Sequence, residues 1–357
     1  MSEYSLYILA LYFFTFCTVF IARFFNITIG NFISVAIALT AFGVAAFRPE
    51  YFPDIYTYEL MYEHAASGDF NNLAYWLAHG EPGFKILSYV ISVVGFSYSG
   101  FLVIMAAISF LLLFYISRIA GVPFVYLWFA YFSFHFIIRD LGVIRMGIAS
   151  HLIVIFFLQR AVIWQAVVLI TASLTFQYFA FIAVLAKPFS RVNINWRTIS
   201  LLFVFSVLAA RFLTFENLQF LIAEEGQDLL TKSREGNEPN SAAFSPGGQA
   251  IILPIVRNIV CAFFLLFLLR NESKLQNTRL LIWAAFLSAA LYIMASDILV
   301  LAQRFSAYFA AVVPLAVAYI MQRRSIRNDT FFLAVLFSLL NFAAIIYYYG
   351  PGFRFFT

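Results

Sequence analysis

The chain has 357 residues, 64% of them hydrophobic and only 11% charged, with 46 Phe and a formal net charge of +5. Soluble domains carry about 25% charged residues, and no soluble fold of this length hides so much apolar surface. A water-soluble globular protein is therefore excluded, and the lipid bilayer is the first partner expected of this chain.

Long apolar runs predict membrane helices at 4–22, 28–47, 99–117, 122–138, 143–159, 162–176, 177–190, 198–214, 250–269, 279–296, 303–321 and 330–349. That is an all-α, polytopic integral membrane protein of about 12 transmembrane helices, built as one domain over 1–357. The first run lacks a basic n-region and a cleavage site, so it reads as a retained helix. Arg and Lys between the runs set orientation: Arg23, Arg118, Lys187, Arg197, Arg270 and Arg323 share one side and read as cytoplasmic anchors. With that assignment 83–97 does not span, because a crossing there would move Arg118 to the other side. Two larger loops, about 47–84 and 215–249, then face outward.

The positive charge does not point to nucleic acid, because the basic residues alternate with apolar runs and form no patch. Cys17 and Cys261 lie inside apolar runs and form no disulfide framework or CxxC. His64, His79, His135 and His151 lack metal-ligand spacing, so no metal and no cofactor are expected. Walker A, GxGxxG, HExxH and nucleophile-elbow motifs do not occur.

Four polar patches stand out against the apolar background. In the first outer loop Arg48 follows a span, and Asp54, Tyr58 and Tyr62 are spaced to share one helical face. Glu81 precedes Pro82-Gly83 in "HGEPGFK". In "FHFIIRDLGVIRMGIAS" Arg139, Asp140 and Arg145 lie in apolar sequence, where charge is expensive and marks a site by default. Their plain structural role would be an Arg139–Asp140 or Arg145–Asp140 pair locking two helices. Their net positive charge suits phosphate, whose oxygens match the guanidinium fork. Gln177 and Tyr178 interrupt "SLTFQYFAF", a hairpin turn or a polar site between two apolar runs. Arg304 and Tyr308 in "LAQRFSAYF" fall one helical turn apart. Interfacial anchoring alone accounts for Tyr51, Tyr75 and Trp76. The rest describe an outward cavity with arginines for a pyrophosphate, aromatics for sugar faces, a carboxylate for a general base and a greasy shell for a polyprenyl tail.

"RPEYFPDIYTYELMY", "EPGFKIL", "GVIRMGIAS" and "LAQRFSAYF", in that order and spacing, resemble the EpsG family of Wzy-type polysaccharide polymerases. Two positions depart from its pattern: Met146 stands where Gln is common after the Arg, and Phe176-Gln177 where a Phe-His pair is common. The resemblance implies a membrane glycosyltransferase at the outer face of a bacterial inner membrane. It would polymerise undecaprenyl-pyrophosphate-linked oligosaccharide repeat units into O-antigen, capsule or exopolysaccharide. The catalytic set would be Asp54, Glu81, Asp140 and Arg145. Substrate would be bound by Arg48, Tyr58, Arg139, Gln177, Arg304 and Tyr308. A chain-length regulator and a flippase are the protein partners implied. The rival functions are a ligase-type glycosyltransferase using the same lipid donor and a lipid-linked oligosaccharide transporter. A transporter calls for polar residues through the midplane and two related halves, and the sequence has neither.

Overall fold

The computed structural model describes residues 3–49, 52, 55–68, 81–159, 161–213, 249–269, 276–296, 299–323 and 328–349. Every regular element among them is a helix. The chain divides into two compact units, residues 1–181 with 317–357, and residues 182–316.

The first unit opens with α1 (Glu3–Phe20), which runs on into a π turn over Ile21–Phe25. Asn26 then caps α2 (Ile27–Ala46), its side chain accepting from the Thr28 and Ile29 amides at 2.8 and 3.2 Å. α3 (Ile55–Ala66) and α4 (Pro82–Val93) are short, and α5 (Tyr98–Ala120) is long. Gly121 closes α5 in the left-handed conformation, φ +64°, which glycine adopts without a Cβ penalty. α6 (Phe124–Tyr131) passes without a break into an 11-residue π-helix, Phe132–Gly142. α7 (Ile144–Leu158) and α8 (Val162–Thr171) follow. A π turn over Ala172–Phe176 then leads through extended Gln177 into a 3-10 helix, Tyr178–Leu185.

Lipid-compatible packing explains this unit. Phe13, Phe14, Phe25 and Phe32 are exposed, as residues facing acyl chains should be. Phe42, Trp128, Phe132 and Phe136 interlock inside, with ring centroids 4.8–5.7 Å apart. Hydrogen bonds stitch the helices together where no water is available: Tyr12 to Ser133 at 2.9 Å, Thr18 to Ser34 at 2.8 Å, and Trp128 Nε1 to Thr15 at 3.1 Å. α15 (Asn328–Tyr349) seals the π-helix, with Asn341 donating to the Ser133 carbonyl at 2.7 Å.

The basic anchors gather at one end of this unit. Arg23 donates to the Arg323 carbonyl at 3.2 Å. Arg118 shares a cavity of about 510 Å³ with Asn31, Phe32 and Gln322. Arg48 follows the opposite end of α2, about 30 Å away by helix rise.

In the second unit, Ala186–Phe189 forms one turn, α9. α10 (Trp196–Ala210) starts on a capping box made by Asn195 and Thr198. α11 (Gln249–Leu269), α12 (Gln276–Met294) and α13 (Leu299–Ala310) follow, then α14 (Val313–Gln322), which leads back to the first unit. α12 is buried over 280–292. Trp283 donates to the Val192 carbonyl at 3.0 Å, and Ser288 to the Ser306 carbonyl at 3.1 Å.

The helical class and the multi-pass character agree with the sequence. Tyr4–Phe25, Ile27–Ala46, Tyr98–Ala120, Ala302–Gln322 and Asp329–Tyr347 are long and apolar enough to cross a membrane. Further apolar helices, Ile144–Leu158 and Trp196–Ala210 among them, are shorter, so length does not establish the count of 12. α4 rises about 18 Å, short of a hydrocarbon core of about 30 Å. The second outer loop lies almost wholly outside the described residues, as does Asp54.

Candidate functional site

The site grows from one close approach. A Cβ on Gly83 would lie 2.7 Å from Thr175 Cα and 2.6 Å from its Oγ1, so only glycine lets the first turn of α4 rest on the π turn before Gln177. Pro82 starts α4, where its missing N–H is no loss. Glu81 stands at the N-cap but does not cap its own helix. Its carboxylate is used elsewhere. Oε1 accepts the Tyr178 amide at 3.3 Å, the first N–H of the 3-10 helix. With its amide oriented to satisfy its surroundings, Gln177 donates to the same oxygen at 3.3 Å and to the Phe176 carbonyl at 3.1 Å. Oε2 pairs with Arg145 Nη1.

Arg145 enters from the first turn of α7. Its guanidinium lies over two rings, 5.5 Å from the Tyr58 centroid and 5.2 Å from that of Phe84. Tyr58 and Tyr62 are buried on one face of α3, the face the sequence spacing predicted. The Tyr62 hydroxyl donates to the Phe96 carbonyl at 2.5 Å, and Tyr98 to the Ile55 carbonyl at 2.9 Å, so α3 is tied to the start of α5. The Glu81 side chain is 6% exposed and that of Arg145 is 16% exposed. Arg145 is the member of the pair that meets the outside.

Lys85, one turn after Glu81, is 2% exposed. Burial pushes its ammonium below the usual lysine range; Glu81 opposes the shift and Arg145 adds to it. Arg145 is thus the ion-paired partner of Glu81, and Lys85 acts on the same carboxylate through space. The sequence marks Lys85 only by its place in "EPGFKIL", and it was not among the expected site residues.

A second polar cluster lies deeper in the unit. Asp140 lies in the last turn of the π-helix, with Oδ1 accepting Ser109 at 2.6 Å and Oδ2 accepting the Tyr131 hydroxyl. Since Ser109 gives its proton to Asp140, His151 Nδ1 donates to Ser109 at 3.3 Å and keeps a lone pair on Nε2. That Nε2 has no hydrogen-bond partner among the described residues. Arg139 is buried beside this cluster. Arg48, 6% exposed, bridges toward it by donating Nη1 to the Asp140 carbonyl at 2.5 Å. Burial pushes Arg48 below the usual arginine range, and nearby Tyr58, Tyr98, Tyr4 and Asp140 oppose it. Its Nε and Nη2 find no partner among the described residues.

The structure thus brings Glu81, Arg145, Gln177 and Tyr58 together, with Arg48 and Asp140 adjoining through one hydrogen bond. Arg145 pairs with Glu81 rather than with Asp140. Arg304 and Tyr308 belong to the second unit, on α13, where Arg304 is half-buried and Tyr308 fully buried. Ser109, Tyr131 and His151 carry no mark in the sequence that separates them from ordinary helix residues. Among the described residues no three His, Cys, Asp or Glu gather as a metal site.

The sequence model of the EpsG family matches residues 31–357. Comparison with curated proteins and with solved structures returns no match.

Proposed function

This chain belongs to the EpsG family, the family of Wzy-type polysaccharide polymerases, and we propose that it polymerises oligosaccharide repeat units carried on undecaprenyl pyrophosphate. The reaction joins a growing lipid-linked glycan, the donor, to one lipid-linked repeat unit, the acceptor. An acceptor hydroxyl attacks the anomeric carbon of the donor. A base takes the hydroxyl proton, the carbon–oxygen bond to pyrophosphate breaks, and lipid pyrophosphate leaves. We place the site at the outer face of a bacterial inner membrane.

The observation that carries this proposal is the Glu81–Arg145 pair, its guanidinium held over the Tyr58 and Phe84 rings. It sets a carboxylate and a fork of donors side by side within apolar helices. Arg145 takes the pyrophosphate and stabilises the charge that develops as the lipid leaves. Arg48 and Arg139 supply further positive charge. Glu81 is the preferred base. Asp140 is a poorer choice, because its oxygens are held by the hydroxyls of Ser109 and Tyr131, which a substrate anion does not draw away, whereas Oε2 of Glu81 is held by Arg145. Asp54 stays a base candidate from its motif. Tyr58 and Gln177 hold substrate, and the family motif that carries Arg304 and Tyr308 makes each of these a further substrate-binding candidate.

Purified protein with a lipid-pyrophosphate-linked repeat unit, without nucleotide, tests this on a gel. A ladder of longer glycans that Arg145→Ala abolishes supports the polymerase. Movement of intact substrate across liposomes without a ladder identifies a transporter and overturns it.

A further inference from the structure

Glu81 has two cations and needs a reason for the second. A single ion pair with Arg145 satisfies its charge, yet Lys85 is buried within electrostatic reach of both partners. A lysine kept out of water beside an arginine is unfavourable unless something uses it. The two cations also differ in freedom. Arg145 comes from another helix, is the more exposed partner of the pair, and rests on ring faces that a guanidinium can slide across. Lys85 sits on the same helix as Glu81, one turn on, and moves with it.

If Arg145 binds the pyrophosphate, it must loosen its hold on Glu81. A carboxylate then left unpaired in a buried site is expensive, and that expense would be subtracted from substrate affinity. We propose that Lys85 is a positioning residue that releases Arg145 to the substrate. Its ammonium retains the Glu81 carboxylate at the Gln177–Tyr178 turn while the guanidinium turns to the lipid pyrophosphate. This rests on the proposed function, since the anion drawing Arg145 away is the pyrophosphate of the lipid-linked glycan. Glu81 then keeps one oxygen on the Tyr178 and Gln177 donors, and the departure of Arg145 opens a lone pair on the other while Lys85 balances the charge through space. The base is bared only when the donor substrate is seated.

The test is a double-mutant cycle on binding, independent of turnover. Geranylgeranyl pyrophosphate is titrated into the detergent-solubilised full chain. Lys85→Met weakens binding about tenfold in the wild-type background, the order expected of one unit charge in a partly buried site. In the Glu81→Gln background the same change has little effect, because Arg145 no longer has a carboxylate to leave. Were Lys85 merely to attract phosphate through space, its removal would weaken binding equally in both backgrounds, and that additive result overturns the proposal. Lys85→Gln repeats the cycle if the methionine variant does not fold. Wild-type protein that fails to bind the probe, while Lys85→Met changes nothing, overturns the pyrophosphate site itself.

Discussion

Gly83→Ala is the smallest change that separates the site from its support. The added Cβ would lie 2.7 Å from Thr175 Cα, where ordinary contact begins at 3.4 Å. The obstacle is backbone, so no side chain can swing clear, and α4 must retreat by roughly 0.7 Å or more. Glu81 lies two residues before Gly83 and moves with it. Its bonds to the Tyr178 amide and to Gln177 are already 3.3 Å long. The same retreat stretches them to about 4 Å, beyond hydrogen bonding. Overpacking of this kind costs about 1–3 kcal/mol, and a misplacement near 1 Å lowers an enzyme's rate about 10²-fold. The assay measures initial glycan-ladder rate and thermal unfolding on the same detergent preparation. Gly43→Ala is the control: its Cβ meets nothing within 4 Å, and it should leave both readings intact. Full activity and unchanged unfolding in Gly83→Ala would refute the claim that this contact sets the position of Glu81.

Arg145→Lys should lower ladder formation nearly as far as Arg145→Ala, because a lysine keeps the charge but loses the planar fork and its ring stacking. Asp140→Asn should cost about 1–3 kcal/mol of stability by leaving Ser109 or Tyr131 a poorer acceptor, with ladder rate per folded molecule largely kept; a complete loss of rate in well-folded protein would move the base from Glu81 to Asp140. Gln177→His should retain ladder formation, since an imidazole N–H can replace the amide donor to Glu81, whereas Gln177→Leu should reduce it about tenfold. Equal activity of the two Gln177 variants would remove that hydrogen bond from the mechanism.

The helices were legible because lipid imposes one rule: long apolar runs must be helical. Glu81 and Arg145 were legible for the complementary reason, as charges that apolar surroundings do not tolerate without use. Their partnership was not. Asp140 is five residues from Arg145 and was the natural sequence choice, but it lies in the last turn of a π-helix. The wider π turn, bonded i to i+5, shifts the register that an α-helical reading assumes. Asp140 is turned onto Ser109 and Tyr131, and Arg145 reaches Glu81 64 positions away. Lys85 escaped notice because an acid and a base four apart on a helix usually form a solvated surface pair. Its burial is a tertiary fact that this spacing does not encode. The apolar run at 83–97 was open to a further span or a short helix from its sequence, and a helix of 12 residues, Pro82–Val93, occupies it.

The closure of the π-helix by α15 has a consequence for biosynthesis. Ser133 and Asn341 are joined by a hydrogen bond, yet 208 positions separate them. The compact unit that contains both is interrupted by residues 182–316. A ribosome delivers α1 to α8 well before α15 exists. During that interval the nascent helices hold a polar seam with its last partner missing, inside a medium that offers no water in exchange. Chains that end before residue 328 lack this closing contact, and they should be degraded faster in the cell than the full chain.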